Sequence, residues 1–210
     1  MKSVRFWLLR HALVEARARA VLYGANDVAL CPLALTAERP LYQRLAARLP
    51  RPARWLISPL SRTRETARAI FAAGYPAQTL TVEPALIEQT LGAWEGLPQS
   101  EVAALFARRA DQFWPLPADT RPPGGESMAD VVARVGVCLT RLVAAHGGED
   151  VVAVVHGGVI RAALAHVLGI AAEQAQNVSV GNLSLTRFEW HREGWWIGGV
   201  NEAPGWEAPG

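Results

Sequence analysis

The sequence predicts an α/β fold in which helices cover a mostly parallel sheet. Three observations carry this. Short β-branched or aromatic runs alternate with helix-length segments along the chain. The most apolar run, DVVAVV at Asp150–Val155, shows no polar alternation, as expected of a strand covered on both faces. The 210 residues contain no internal repeat and no low-complexity linker, so one domain spanning 1–210 fits better than two.

Val4–Leu9 reads as a buried strand, and Arg10–Tyr23 as partly helical, with no cap or clean apolar stripe to fix it. A loop is expected to run on to Thr36. Leu41, Leu45 and Leu49 recur every four residues, which gives an amphipathic helix that Pro40 can start and Pro50 ends. RWLI at Arg54–Ile57 is a short strand, Ser61–Ala73 a helix stopped by Gly74, and Thr79–Val82 another short strand. Pro98–Arg109 is expected to be helical and Trp114–Gly125 a Pro/Gly-rich loop. Ser127 with Asp130 resembles a capping box that opens a helix running to about His146. After Asp150–Val155, Gly157–Leu168 is helical and ends at Gly169. Ser184–Trp190 and Trp195–Val200 flank a turn around Gly194 and read as an antiparallel hairpin.

Half the residues are hydrophobic and the net charge is +2, which gives no case for nucleic acid or an anionic membrane as partner. The charge is uneven: residues 1–110 hold 15 Lys/Arg against 8 Asp/Glu, and 111–210 hold 6 against 11. That asymmetry suits a small anionic substrate bound near N-terminal arginines, although a solvated basic face explains most of them equally well. Cys31 and Cys138 lie in no CxxC arrangement, so neither a zinc site nor a disulfide framework is indicated. The only apolar stretch near the start, Phe6–Leu9, is too short for a secretory core, and no run approaches a membrane span. The expectation is a cytoplasmic protein. No GxGxxG follows the first strand and no GxSxG occurs, which removes the usual dinucleotide and serine-hydrolase readings.

The chemistry lies at strand ends. FWLLRH and VVAVVHGG each finish a strand with histidine, His11 and His156. In an open parallel sheet ligands bind beyond the carboxyl ends of the strands, so both are expected at one rim although 144 residues lie between them. A third strand end leads into ISPLSRTRETA, which places Arg62 and Arg64 in the first turn of a helix. Arginine there opposes the helix dipole unless an anion neutralises it. With Arg10 beside His11, Arg62 suggests a clamp for a phosphate dianion. Glu88, in LIEQTLGAWEGL, could protonate the leaving oxygen of a phosphate ester, a contribution of about 10²–10⁴-fold, and Glu95 competes for that role. A metal pair of His11 and Glu15 has the right spacing on a helix but no evident third ligand.

LLRHA, SPLSRTRETA, LIEQTLGAWEG, PPGGES and VVHGG, in this order, resemble the histidine phosphatase superfamily, which includes cofactor-dependent phosphoglycerate mutases. The resemblance spans Leu8 to Gly158 and implies a three-layer α/β/α sandwich with a mainly parallel central sheet. It implies that His11 is the nucleophile that becomes phosphohistidine, that Arg10, Arg62 and His156 form the phosphate pocket with Gly157 beside them, and that Glu88 is the proton donor. His156 is then expected to be protonated or to donate to the phosphate. No metal and no cofactor are implied. Ala12 stands where the family usually has Gly, Leu13-Val14 replace a polar pair, and Arg17 stands where an Asn often contacts phosphate. Arg17, Glu126 and Ser127 are expected as further substrate contacts, with Ser127 alternatively a helix cap. The expected activity is hydrolysis of a small phosphorylated metabolite, of which α-ribazole 5′-phosphate is one candidate. A mutase-type phosphotransferase and a non-catalytic phospholigand-binding module are the alternatives, and a homodimer is left open.

Overall fold

The computed structural model describes residues 2–98, 100–101, 117–192 and 194–205. The six strands are β1 (Val4–Arg10), β2 (Arg54–Ile57), β3 (Leu80–Val82), β4 (Asp150–Val155), β5 (Leu185–His191) and β6 (Gly194–Glu202). They form one sheet in the order β3-β2-β4-β1-β5-β6. The first four neighbours run parallel, and the β5–β6 hairpin is added antiparallel at the β1 side. The main helices are α1 (Ala16–Arg19), α2 (Pro32–Ala37), α3 (Arg39–Arg48), α4 (Ser61–Ala72), α5 (Met128–Ala145), α6 (Gly157–Leu168) and α7 (Ala172–Gln176).

Every residue of β4 is buried, and its alternation divides the interior into two cores. Val151, Ala153 and Val155 join Phe6 and Leu8 of β1 in packing on Val135 and Leu139 of α5 and on Val159 and Ile160 of α6. Val152 and Val154 point the other way and pack with Leu9, Trp55 and Ile57 against Leu45 of α3 and Ile70 of α4. Each such fully buried Val contributes about 2 kcal/mol. Helices on both faces of a mainly parallel sheet give the three-layer sandwich expected.

The ends follow local chemistry. Ser127 accepts from Asp130 N at 3.2 Å while Asp130 accepts from Ser127 N at 2.8 Å, which completes the capping box that starts α5. Gly169 ends α6 with φ +64, a conformation that disfavours a side chain. Arg10–Tyr23 is partly helical as expected, through the single turn Ala16–Arg19, while one expectation changes. The loop expected to reach Thr36 contains α2, which Pro32 opens at its first position. Most of the helix expected over Pro98–Arg109, and the first three residues of the Trp114–Gly125 loop, lie outside the described residues. Among the described residues no helix is long and apolar enough to cross a membrane.

Candidate active site

Strands β1 and β4 are adjacent and parallel, with Arg10 opposite Val155. The next residue on each strand is a histidine, so register alone brings the two imidazoles together; their centroids are 5.2 Å apart. The His11 amide donates to Val155 O at 3.0 Å, which continues the ladder past the strand end. The following peptide is held from two sides. Thr66 Oγ1 of α4 accepts from Ala12 N at 2.9 Å, and Asn182 Nδ2 donates to His11 O at 2.8 Å.

His11 is 1% exposed, and its Nδ1 lies 2.7 Å from Ala12 O. A carbonyl only accepts, so Nδ1 carries the proton and Nε2 keeps its lone pair. Burial, then the charge of Arg62 and more weakly that of Arg10, pull the His11 pKa down to about 3. At neutral pH the ring is therefore an unprotonated imidazole of fixed tautomer, with the Nε2 lone pair free of a proton.

Arg62 is fully buried in the first turn of α4. Its Nε donates to His156 Nδ1 at 3.3 Å, and its Nη groups donate to the carbonyls of Asn26 (2.7 Å) and Gly24 (2.9 Å). Three of the five guanidinium N–H groups are thus engaged, which fixes the fork and leaves N–H capacity for an anion. His156 is also fully buried, and its Nε2 donates to Ser58 Oγ at 2.7 Å. Burial first, then its cationic neighbours, hold the His156 pKa well below the ordinary range. With Nδ1 accepting from Arg62 and Nε2 bonded to Ser58, the His156 ring is neutral and aligns the Arg62 fork.

A cavity of about 190 Å³ opens beside this cluster. Arg10, Tyr23, Glu88, Gly157, Gly158 and Arg161 are among its lining residues; His11, Arg62 and His156 are not. Arg10 Nη1 donates to Val180 O at 2.5 Å, but its buried Nε has no partner among the described residues. An orphaned buried N–H on a cation is the kind of group an anion satisfies. Glu88 is held at the start of α6, where Gly158 N donates to Oε2 at 3.1 Å and Gln89 N to Oε1 at 2.9 Å. A Cβ on Gly158 would lie 2.3 Å from Glu88 Oε1, so the second glycine of HGG makes room for the acid.

The remaining anticipated residues go elsewhere. Glu95 Oε1 accepts from Ala25 N, Leu91 N and Thr90 Oγ1 at 3.0–3.3 Å. It ties the loop that engages Arg62 to the loop that carries Glu88, and unlike Glu88 it does not line the cavity. Glu126 is bidentate with Arg134 (2.7 and 3.0 Å) and accepts from Thr90 N. Ser127 is buried in its capping box. The Arg17 side chain is 84% exposed and paired with Glu15. None of these lines the cavity, so the structure does not bring Arg17, Glu126 or Ser127 to the cluster as expected. Among the described residues no group of three or more His, Cys, Asp or Glu gathers as a metal site. Sequence reading missed Ser58 and Thr66, which stand inside SPLSRTRETA without a role assigned to them, and Asn182 and Arg161, which stand in no motif.

The histidine phosphatase superfamily (branch 1) family model matches residues 6–203. The chain belongs to that superfamily. It is 31% identical over 200 residues to the glucosyl-3-phosphoglycerate phosphatase of Mycobacterium tuberculosis, covering 91% of this chain and 87% of that protein. It is also 31% identical over 140 residues to a 2,3-bisphosphoglycerate-dependent phosphoglycerate mutase of Gloeobacter violaceus, covering 65% of this chain and 64% of that one. The solved mycobacterial glucosyl-3-phosphoglycerate phosphatase superposes with a TM-score of 0.79 at 27% identity, covering 96% of this chain and all of that one. As a superfamily member the chain keeps its charge-bearing cluster at the sheet rim while placing Ala12 after the histidine, where the amide and carbonyl of Ala12 are both used.

Proposed function

We propose that the chain is a phosphomonoesterase that works through phosphohistidine at His11, as a single catalytic domain on a small phosphorylated metabolite. One observation carries the reading: a neutral imidazole, its Nδ1 fixed on the Ala12 carbonyl, adjoins Arg10 and the buried Arg62 guanidinium, with the Glu88 carboxylate held at the start of α6. His11 Nε2 attacks phosphorus and forms the P–N bond while the P–O ester bond breaks. Glu88 gives its proton to the leaving oxygen. In the second step water attacks phosphorus, Glu88 takes the water proton, and the P–N bond breaks to release phosphate and free imidazole. Arg10 and Arg62 offset charge on the equatorial oxygens throughout.

The guanidiniums supply the positive charge that a metal would otherwise provide, so turnover is expected to be equal with and without EDTA. α-Ribazole 5′-phosphate enters as a substrate on the likeness of PPGGES and LIEQTLGAWEG to that branch of the family. Glucosyl-3-phosphoglycerate enters through the curated relatives. Phosphate release from both, from 3-phosphoglycerate and from p-nitrophenyl phosphate ranks them. A mutase would instead transfer phosphate to 3-phosphoglycerate in the presence of 2,3-bisphosphoglycerate, with little release. Acid-labile, base-stable label should accumulate on quenched wild-type enzyme and vanish in His11→Ala. Label that persists in His11→Ala would remove His11 as the nucleophile.

A further inference from the structure

Two carboxamides line the cavity that the chemistry above does not use. Glu88 lines this cavity and His11 does not, so in the phosphomonoesterase reading it is the leaving alcohol that occupies it. Gln89, the next residue along the chain, and Gln176, the last residue of α7, line it as well, at 7% and 4% exposure. Both are fixed in place. Gln89 N donates to Glu88 Oε1 at 2.9 Å. Just beyond Gln176, Val178 O accepts from Arg161 Nε at 2.9 Å and Val180 O accepts from Arg10 Nη1. The segment after α7 is thus pinned to two cavity arginines, which gather at the start of α6: a Cβ on Gly157 would lie 3.5 Å from Arg161 Nη1 and 3.7 Å from Arg10 Nε.

Hydrogen-bond accounting shows what the two amides can take. Gln89 Nε2 donates to Glu126 O at 2.7 Å. A carbonyl only accepts, so this bond fixes the orientation of the amide and leaves its Oε1 as the unused group. The Gln176 carboxamide has no hydrogen-bond partner among the described residues. A polar side chain this buried is ordinarily paired. An anion has no proton to give to either Oε1, whereas a hydroxyl gives one and accepts another. Leu22, Leu91 and Met128 add an apolar wall against which a carbon frame can pack. At about 190 Å³ the cavity is smaller than the range typical of drug-sized ligand sites, which keeps that frame short.

We propose that Gln176 is a specificity-determining residue that hydrogen-bonds a hydroxyl of a short polyhydroxy leaving alcohol, with Gln89 Oε1 as a second acceptor. This rests on the phosphomonoesterase reading of the same site. A hydroxylated alcohol satisfies the amides; an alkyl chain of the same length leaves them buried and unpaired, which costs affinity.

The test compares kcat/KM for glycerol 3-phosphate and propyl phosphate in wild type, Gln176→Met and Gln176→Asn. The two esters share a three-carbon frame and differ by two hydroxyls. Methionine keeps the length of glutamine without its polar atoms, and asparagine keeps the amide but withdraws it by one methylene. The expected result is a preference for the hydroxylated ester in wild type that falls in both variants, by roughly 10- to 100-fold in Gln176→Met. Equal proportional losses on both esters would show a merely structural role and overturn the proposal, as would no preference in wild type. Calorimetric binding of the two esters to His11→Ala, with and without Gln176→Met, reads the same ratio without turnover. If neither ester nor p-nitrophenyl phosphate is hydrolysed in a His11-dependent way, the phosphomonoesterase reading fails, while the binding ratio still decides the role of Gln176. Should Gln176→Met fail to fold, Gln176→Asn carries the comparison: loss of discrimination supports the contact, and full retention refutes it.

Discussion

Replacing Gly158 with alanine should separate folding from catalysis. The new Cβ would lie 2.3 Å from Glu88 Oε1 and 3.2 Å from the carboxyl carbon. An ordinary carbon–oxygen contact is longer by about 1 Å, so the carboxylate must retreat by that much. It also strains the 3.1 Å bond from Gly158 N to Oε2 that now holds the acid. Displacing a catalytic group by about 1 Å costs on the order of 10²-fold, and losing the acid altogether about 10²–10⁴-fold. Meanwhile alanine is the better helix residue, and the atom it meets ends a flexible side chain rather than backbone. The melting temperature should therefore change by no more than about 4 °C. The assay is kcat on an alkyl phosphate and on p-nitrophenyl phosphate. The alkoxide needs a proton to leave, so the alkyl ester should lose about 10²-fold; the acidic phenol needs it less and should lose under about tenfold. Equal losses on both esters would refute the reasoning, because they would place the damage outside leaving-group protonation. Undiminished turnover of the alkyl ester would refute the placement of Glu88.

Three other outcomes follow from the same contacts. The His11 pKa falls from 6.5 to about 3 on folding, so between these values the unfolded chain binds the extra proton. The stability from this group is whole above pH 6.5 and is lost as pH falls towards 3, a total on the order of 5 kcal/mol. Urea unfolding between pH 6.5 and 5 should show stability falling by at least about 1 kcal/mol per pH unit; a flat profile, or an NMR titration of His11 near 6.5, would contradict it. Glu95→Ala removes the shared acceptor of Ala25 N and Leu91 N and should cost about 2–4 kcal/mol together with most of the activity. Glu95→Gln keeps an acceptor oxygen and should retain activity within about tenfold, so equal damage in both would show that charge, not the bond, matters. Arg17→Ala removes an exposed ion pair and should leave kcat/KM within about twofold and stability within about 0.5 kcal/mol.

The legible part of the site was the part fixed by strand ends. Arg10, His11 and His156 could be placed from FWLLRH and VVAVVHGG because two apolar strands deliver their next residues to one rim. Arg62 could be placed because a helix begins directly after a strand. Less legible was anything decided by competition among neighbours. Ser127 and Glu126 have side chains suited to substrate, but an aspartate three residues on and an arginine eight residues on claim them first. Glu95 and Glu88 look alike in LIEQTLGAWEGL and both accept from backbone amides, and only the cavity wall, which includes Glu88 and not Glu95, tells them apart. The carbonyls of Gly24 and Asn26 that hold Arg62 belong to the backbone and leave no mark in residue type. Arg161 resembles any helical arginine until Val178 and Gly157 are seen beside it.

The strand order has a consequence for how the chain is made. β1 is synthesised well before both of its sheet neighbours, β4 and β5, whose residues begin at Asp150 and Leu185. Until those emerge, Phe6, Leu8 and Leu9 have no ladder to join and stay open to misassociation. Closing so long a loop is slow, and His11 gains its fixed tautomer and its low proton affinity only then. A nascent chain halted before residue 150 should therefore carry an ordinary, protonatable histidine at position 11. Chemical competence and completion of the sheet arrive in one event.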